Sequence, residues 1–358
     1  MKPEAILSAA TELLEEILAS QKPANDIINA YTRSRRYIGS KDRRALTDLV
    51  WGYIRHFYRL NYLYPDKSVA EKLNFLSEIP EKIQNAPVSV NLEVPAWLIP
   101  LIPDAEVELE ALLGVADTVL RANGNRDKIQ RELADEGIET EKTTLSPWGL
   151  ILKKRANLQA TEAFRRGLIE IQDEGSQCVA LETEIQPGMC VLDYCAGAGG
   201  KSLIFAQMMK NKGQIVAHDV SDISLKELQK RAKRAGATCI RVEKPIKTKD
   251  FDHVVVDAPC SGVGTWRRTP DRRFKLTEKE LKGLLKTQAE ILNIAARYVR
   301  QGGRLSYMTC SLLAPENSGQ IKAFLGKNKD FALLKEKQFS PAQTGTDGLF
   351  VAVMERGK

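Results

Sequence analysis

Apolar residues near the start of the chain recur at intervals of three and four, which places them along one stripe of a helix. They are Ile6, Ala10, Leu13, Leu14, Ile17 and Leu18. The same spacing continues through Ile27 and Ile28 and again over residues 46–57. The pattern predicts a helical N-terminal domain over residues 1–66.

The middle of the chain loses this periodicity and is interrupted by prolines at positions 65, 80, 87, 95, 100 and 103. Such a stretch is typical of a linker or an irregular bridge. Beyond it the pattern predicts a short strand near Thr118, a helix over 126–136 ended by Gly137, and a strand over 148–152. Residues 67–160 are therefore predicted to form a linker and a small α+β module.

The remainder alternates between strand and helix patterns. Strands are predicted over 190–193, 214–218, 239–243, 253–257, 304–309, 332–334 and 349–354, and helices over 201–210, 224–234 and 277–300. This alternation predicts an α/β fold: a Rossmann-like, doubly wound, seven-stranded domain over residues 161–358. Such sheets bind ligands beyond the carboxyl ends of their strands.

The amino-acid composition excludes some classes of protein but does not identify a function. The chain has 358 residues, of which 43% are hydrophobic and 28% charged, as in folded multi-domain proteins. No apolar run approaches the roughly 20 residues of a membrane span, and Met1-Lys2-Pro3-Glu4 opens no apolar leader. We therefore expect a cytoplasmic protein that does not contact a membrane, and we expect a monomer.

The six cysteines show no Cys-x-x-Cys spacing, and the three histidines are isolated, so neither a disulfide framework nor a metal site is predicted. The net charge of +7 favours a polyanionic partner without establishing one.

A glycine-rich segment follows the first predicted strand of the α/β domain and leads directly into a helix: Asp193-Tyr194-Cys195-Ala196-Gly197-Ala198-Gly199-Gly200-Lys201-Ser202. A phosphate-binding P-loop would need glycine at Cys195, and a dinucleotide fold would need glycine at Ser202. A nucleoside ligand without pyrophosphate remains, and S-adenosylmethionine fits. Asp219, about 20 residues on, is predicted to accept hydrogen bonds from the ribose hydroxyls. The alternative is a tight strand-to-helix turn without a ligand.

Two cysteines follow neighbouring predicted strands. Cys260 lies in Asp257-Ala258-Pro259-Cys260-Ser261-Gly262, and Cys310 lies in Thr309-Cys310-Ser311. Because both strands end at the ligand edge of the sheet, both thiols are predicted to face the cofactor. An unpaired cysteine is more often a small buried hydrophobic residue, and this interpretation is preferred for Cys178, Cys190 and Cys239.

These motifs, with Asp193-x-Cys195-Ala196-x-x-Gly199-Gly200-Lys201, resemble the Sun family of RNA cytosine-5 methyltransferases, bacterial ribosomal RNA branch. Further signatures of the family resemble the segments 172–177, 267–271, 315–317 and 346–348. The segment 39–44 resembles more loosely the NusB-like helical, RNA-binding domain of the bacterial members. Ala198 and Phe274 depart from the family's usual proline and tryptophan, and residues 243–250 offer no obvious acid for the adenine of the cofactor.

The resemblance implies a mechanism. Cys310 adds to carbon 6 of cytosine, Asp257 binds the base edge, Lys201 positions base or ribose, and Cys260 assists release of the product. The residues predicted to bind the cofactor are Cys195, Ala196, Gly197, Ala198, Gly199, Gly200, Lys201, Asp219 and Asp257. The opposite assignment also stands, because DNA cytosine-5 methyltransferases use the cysteine of their Pro-Cys motif as the nucleophile.

The implied substrate is RNA, with 16S ribosomal RNA as the first choice and transfer RNA as the alternative. Two basic segments that contain aromatic residues, 266–275 and 33–44, are candidate RNA-binding surfaces. A noncatalytic RNA-binding assembly factor and a dehydrogenase are the alternative classes of protein. Intact Asp257, Cys260, Cys310 and Lys201 argue against the first, and Ser202 argues against the second.

Overall fold

The computed structural model describes residues 1–35 and 37–357. These fold as two compact units, one made of residues 1–115 and 265–278 and the other of residues 116–264 and 279–358.

The first unit is helical. Its helices are α1 (Pro3–Ala19), α2 (Ala24–Ser34), α3 (Ser40–Arg55), α4 (Phe57–Leu63), α5 (Val69–Leu73), α6 (Val88–Asn91) and α7 (Ala105–Ala111). Two 3₁₀ turns, Leu76–Glu78 and Ala96–Leu101, lie in the proline-rich part, and a short helix, Arg272–Lys275, comes from the returning segment. The predicted apolar stripe of α1 is confirmed, since Ala10, Leu13, Leu14 and Ile17 are fully buried.

The second unit contains a small antiparallel sheet. Its strands are β1 (Val119–Ala122), β2 (Thr140–Lys142), β3 (Gly149–Leu152) and β4 (Ile169–Ile171), in the order β2-β3-β1-β4. Two helices accompany it, α8 (Arg126–Asp135) and α9 (Glu162–Arg165). Leu120, Ile129, Leu133 and Leu150 form its apolar core.

A larger sheet forms the centre of the same unit. Its strands are β5 (Cys190–Asp193), β6 (Gln214–Ala217), β7 (Ile240–Val242), β8 (Phe251–Asp257), β9 (Val299–Thr309), β10 (Phe331–Phe339) and β11 (Leu349–Arg356). The order is β10-β11-β9-β8-β5-β6-β7, and β11 runs antiparallel to both neighbours while the strands from β9 to β7 are parallel. The predicted doubly wound, seven-stranded fold is confirmed.

Helices cover both faces of this sheet. Beyond α9, the helices of this unit are α10 (Glu174–Leu181), α11 (Gly200–Met208), α12 (Asp222–Arg234), α14 (Glu278–Ala295), α15 (Ser318–Lys327) and α16 (Pro341–Thr344); the Arg272–Lys275 helix of the first unit is α13. Successive residues along a strand pack into the apolar cores on opposite faces of the sheet. Val191 and Ile215 pack on the side of α11, and Leu192 and Val216 pack on the side of α14.

Two predicted boundaries were wrong. The helix predicted over 277–300 ends at Ala295, and after a 3₁₀ turn the strand already begins at Val299. Val299 is buried and pairs with Phe251, and the glycines at 302 and 303 fall inside the strand, where the register is irregular, rather than at a helix end. The strand predicted over 332–334 is longer, because its pairing with β11 continues through a polar, exposed segment to Phe339.

Candidate active site

The carboxyl ends of four adjacent parallel strands bring the predicted site residues to one edge of the large sheet. The glycine loop follows β5, Asp219 follows β6, Asp257 and Cys260 lie at the end of β8, and Cys310 follows β9. Residues more than 100 positions apart therefore share a small region of the second unit.

The glycine loop requires the glycine at position 199. Gly199 has φ +86°, and a Cβ atom there would lie 2.7 Å from Cγ of Leu228. The loop is also tied to its neighbours, since the Ala196 N–H donates to the His218 carbonyl at 2.9 Å and Arg231 Nη1 donates to the Ala198 carbonyl at 2.8 Å. Helix α11 starts at the next residue, so its unpaired amides lie beside the loop.

Asp219 lies beside the glycine loop and is also hydrogen-bonded to it. Its Oδ2 accepts from the Gly197 N–H and its Oδ1 accepts from the Ser221 N–H, both at 2.8 Å. Each carboxylate oxygen keeps a further lone pair that ribose hydroxyls can use. Val220 and Ile223, close by, are 86% and 83% exposed and offer apolar surface for an adenine ring.

Asp193 was not predicted as a site residue. It is fully buried at the foot of the loop, where Ser202 Oγ donates to its Oδ2 at 2.6 Å. Its Oδ1 has no partner among the described residues. Burial raises the pKa of this carboxyl to about 7. An acid that ends a buried strand directly before a glycine loop was the sequence signal for it.

Lys201 and Asp257 form an ion pair beside the loop. Lys201 Nζ lies 3.1 Å from Asp257 Oδ2 and 2.9 Å from Ser176 Oγ, and the Lys201 side chain is almost completely buried whereas Asp257 is partly exposed. Gln172 supports this arrangement by donating from Nε2 to the Gly200 carbonyl at 3.1 Å. The resemblance of segment 172–177 to a family signature does not predict these hydrogen bonds to the site.

The two thiols touch. Cys260 Sγ and Cys310 Sγ are 3.3 Å apart, both side chains are partly exposed, and the Cys310 N–H also donates to Cys260 Sγ. The hydrogen bond to Cys310, together with burial, raises the pKa of the Cys260 thiol well above its usual value. Elsewhere, burial raises the pKa of Cys178 to about 12, as expected of a thiol that only packs.

Glu243, the acid that comes directly after β7, is not free to bind a cofactor. Its carboxylate accepts from the Lys247 and Thr248 amides at 2.8 and 3.0 Å and pairs with Arg241 at 2.8 Å. Its oxygens are therefore used to hold the 243–248 turn.

The prediction that 266–275 presents stacking surfaces to RNA was wrong for its key residues. Trp266 is fully buried, Arg273 and Lys275 are nearly so, and Phe274 stacks on Phe57 at a ring separation of 4.4 Å. Trp266, Arg273 and Lys275 are therefore not accessible to a nucleotide, whereas the side chains of Arg267, Arg268 and Arg272 are partly exposed.

In the other basic segment, 33–44, Tyr31 just before it is buried beneath Arg35, whereas Tyr37 is 73% exposed. Arg36 of that segment lies outside the described residues.

Over the described ranges, no helix is both long enough and apolar enough to cross a membrane.

The strand order, the antiparallel strand β11, the glycine loop and the acid after β6 define the class of protein: a Rossmann-like methyltransferase of the kind that uses S-adenosylmethionine. A family model described as 16S rRNA methyltransferase RsmB/F matches residues 180–355. The chain belongs to this family, and the resemblance to the Sun family is confirmed.

Two relatives support the assignment. A probable ribosomal RNA small subunit methyltransferase B of Bacillus subtilis is 34% identical over 265 residues, which cover 66% of this chain and 59% of the relative. A protein of the same description from Synechocystis sp. is 30% identical over 331 residues, covering 87% of this chain and 70% of the relative. The chain thus spans about three fifths of the length of the Bacillus relative.

Solved structures share the fold. The structure of PH0851 aligns with a TM-score of 0.81 at 23% identity and covers 99% of both chains. A methyltransferase homolog protein from Pyrococcus horikoshii aligns with a TM-score of 0.65 at 24% identity, covering 75% of this chain and 97% of that one.

Proposed function

We propose that this chain is an RNA cytosine-5 methyltransferase that acts on small-subunit ribosomal RNA and takes its methyl group from S-adenosylmethionine. The observation that carries the proposal is the pair of thiols in contact at the ends of β8 and β9, beside the Lys201–Asp257 pair. The family's description as 16S rRNA methyltransferase, and the names of its ribosomal RNA relatives, support the substrate class.

The chemistry explains the need for a thiol. Carbon 5 of cytosine is a weak nucleophile, so a group must first add to carbon 6 and make carbon 5 electron-rich. Covalent catalysis divides this difficult reaction into easier steps. The thiolate of Cys310 forms the sulfur–carbon 6 bond, and the electron pair of the ring double bond becomes available at carbon 5.

The cofactor fits the glycine loop. Residues 195–201 would hold it, with Asp219 directed to the ribose and the unpartnered Oδ1 of Asp193 available at the foot of the loop. When bound, S-adenosylmethionine supplies the methyl group from its sulfonium. The exposed Val220 and Ile223 would cover the adenine in place of an acid after β7.

Asp257 and Lys201 orient the base. Asp257 accepts a hydrogen bond from Lys201 through Oδ2, which fixes the carboxylate and leaves Oδ1 to meet the amino edge and protonated ring nitrogen of the cytosine. Lys201 in turn is held by Ser176, so neither side chain needs to be ordered when the substrate arrives.

Cys260 assists the last step. Its raised pKa keeps it a thiol, so it can donate its proton in a hydrogen bond to the sulfur of Cys310. Once a water molecule has taken the proton from the methylated carbon 5, the electron pair left there restores the ring double bond, the sulfur–carbon 6 bond breaks and Cys310 leaves as a thiolate. A hydrogen bond from Cys260 stabilises that negative charge as it develops.

The proposal is tested by incubating the protein with methyl-labelled S-adenosylmethionine and either small ribosomal subunits, naked 16S RNA or transfer RNA, followed by nucleoside analysis. We expect labelled 5-methylcytidine from the ribosomal substrate. Label in transfer RNA alone would reject the substrate assignment. Cofactor and RNA binding without any methylated cytidine would reject the activity and favour an RNA-binding assembly factor.

A further inference from the structure

Glu316 is a fully buried carboxylate between the two cysteine turns. Its Oε1 accepts from the Ser261 N–H and from Gln288 Nε2, both at 2.9 Å. Its Oε2 accepts from the hydroxyls of Ser261, at 2.5 Å, and Ser311. Because Ser261 follows Cys260 and Ser311 follows Cys310, a single side chain binds both turns.

The hydrogen-bond pattern suits an ionised carboxylate that accepts from both serine hydroxyls, which are themselves 3.2 Å apart. The Ser261 hydroxyl accepts from the Val263 N–H at 3.5 Å, and the Ser311 hydroxyl accepts from the Leu313 N–H at 3.0 Å. Each hydroxyl therefore has its own proton to direct at Oε2. All four partners of Glu316 donate and all four are neutral, so the negative charge stays close to the thiols.

Neighbouring groups hold Glu316 itself. The Tyr307 hydroxyl donates to the Glu316 carbonyl at 2.8 Å. Gln288, which is fully buried on α14, donates to both Glu316 and the Pro259 carbonyl. The Pro-Cys turn, the segment that carries Glu316 and helix α14 are thus joined by one buried network.

We propose that Glu316 is a positioning residue: its carboxylate fixes the contact between the two thiols and makes Cys260 the thiol that keeps its proton. The proposal rests on the proposed function, in which Cys310 attacks and Cys260 assists release. Glu316 acts through the two cysteine turns and does not itself contact the base.

The electrostatics support the assignment. The charged groups that act most strongly on Cys260 are Cys310 and Glu316, and Cys260 in turn raises the pKa of Tyr307. The hydrogen bond to Cys310 and burial, followed by the negative charges of Cys310 and Glu316, raise the pKa of Cys260. A negative charge nearby disfavours a second negative charge on the sulfur.

The test is thiol alkylation with iodoacetamide across a pH series, read separately for the Cys260 and Cys310 peptides by mass spectrometry. In Glu316→Gln, removal of the negative charge should increase the alkylation rate of Cys260 at pH 8 by about three- to tenfold. The matched control is Glu336→Gln, an exposed glutamate on β10, which should leave the rate unchanged. An unchanged Cys260 profile in folded Glu316→Gln would overturn the proposal.

Ser311→Ala gives a second test if Glu316→Gln does not fold. It keeps the carboxylate but removes one donor from the network, so the thiols separate and Cys260 alkylation should still rise, by a smaller factor. An unchanged rate in this variant would also overturn the proposal. Because alkylation needs neither RNA nor cofactor, an inactive wild-type protein would reject the proposed function and leave this measurement intact.

Discussion

The glycine loop after β5 and the cysteine turns after β8 and β9 lie at the same edge of one sheet but are held in different ways. The loop depends on backbone geometry, with Gly199 at positive φ against Leu228 and a helix starting at the next residue. The cysteine turns depend on side chains, because Glu316 joins the serines that follow each thiol.

The glycine loop and the cysteine turns are held differently because they have different functions. A cofactor loop must let the backbone approach a ligand, which only a few residue types permit. A pair of thiols must instead be held in contact with one proton placed on the right sulfur, which requires buried hydrogen bonds and a charge. If the two regions are independent, a substitution in one of them should leave the function of the other unchanged.

The largest effect is expected from Cys310→Ala. Without the attacking thiol, methyl transfer should fall by on the order of 10⁴-fold or more, while cofactor affinity stays unchanged because the glycine loop is untouched. Methyl transfer and calorimetric titration of S-adenosylmethionine measure the two quantities. Cys239→Ala, at a partly buried thiol outside the site, is the control and should retain activity. A large loss of cofactor affinity in Cys310→Ala would show that the two regions are not independent.

Asp193→Asn tests the foot of the glycine loop. Burial raises the pKa of Asp193 to about 7 in the folded protein, above its value in the unfolded chain. The folded state therefore holds the proton more tightly, so this group lowers stability as pH rises from about 4 to about 7, by up to about 1.4 kcal/mol per pH unit. Asp193→Asn should remove that slope.

Urea unfolding of wild type and variant between pH 5 and 8 measures the slope. The exposed Asp135→Asn variant is the control and should keep the wild-type dependence. Parallel pH curves for wild type and Asp193→Asn would contradict the assignment of a raised pKa to Asp193.

Gly199→Ala should weaken the cofactor site through the backbone. The left-handed φ and the Leu228 contact leave no room for a Cβ atom, so the loop must shift and cofactor affinity should fall by about 10- to 100-fold. Gly188→Ala is the matched control, since Gly188 has φ +95° with open space around its Cα. It should lose some stability but bind the cofactor normally. Equal affinities for the two variants would rule out the close approach as the cause.

The smallest effect is expected from Arg231→Met. This change removes the hydrogen bond to the Ala198 carbonyl and a buried ion pair with Glu170, but leaves the glycines in place. Cofactor affinity should fall by about three- to tenfold. Lys230→Met, at the neighbouring exposed cation, should change nothing. A loss as large as that of Gly199→Ala would mean that side chains, rather than the backbone, hold the loop.

The parallel core was predictable because β5, β6 and β8 are largely buried and form short apolar runs. The predicted strand over 190–193 matches β5, and that over 214–218 extends β6 by one residue. The edge strand β10 was mostly missed, because Lys335-Glu336-Lys337 is exposed and its strand conformation comes from pairing with β11.

Only part of the site was predictable, because only some of its residues leave a local pattern in the sequence. Glycines and strand-end residues leave a local signal, so the loop, Asp257 and both cysteines were singled out. The network of Glu316, Ser261, Ser311 and Gln288 joins three segments that are distant in sequence, and no local pattern encodes such contacts. Trp266 was misassigned to a binding surface, since its place in a basic segment does not reveal that it is fully buried.

The most direct test of the central claim is covalent trapping on cytosine-containing substrate RNA in the presence of S-adenosylmethionine, with adducts resolved on a denaturing gel. If Cys310 attacks and Cys260 assists release, Cys260→Ala should accumulate an RNA–protein adduct, and Cys310→Ala should form none. An adduct that persists in Cys310→Ala and disappears in Cys260→Ala would contradict the account and reverse the roles of the two thiols.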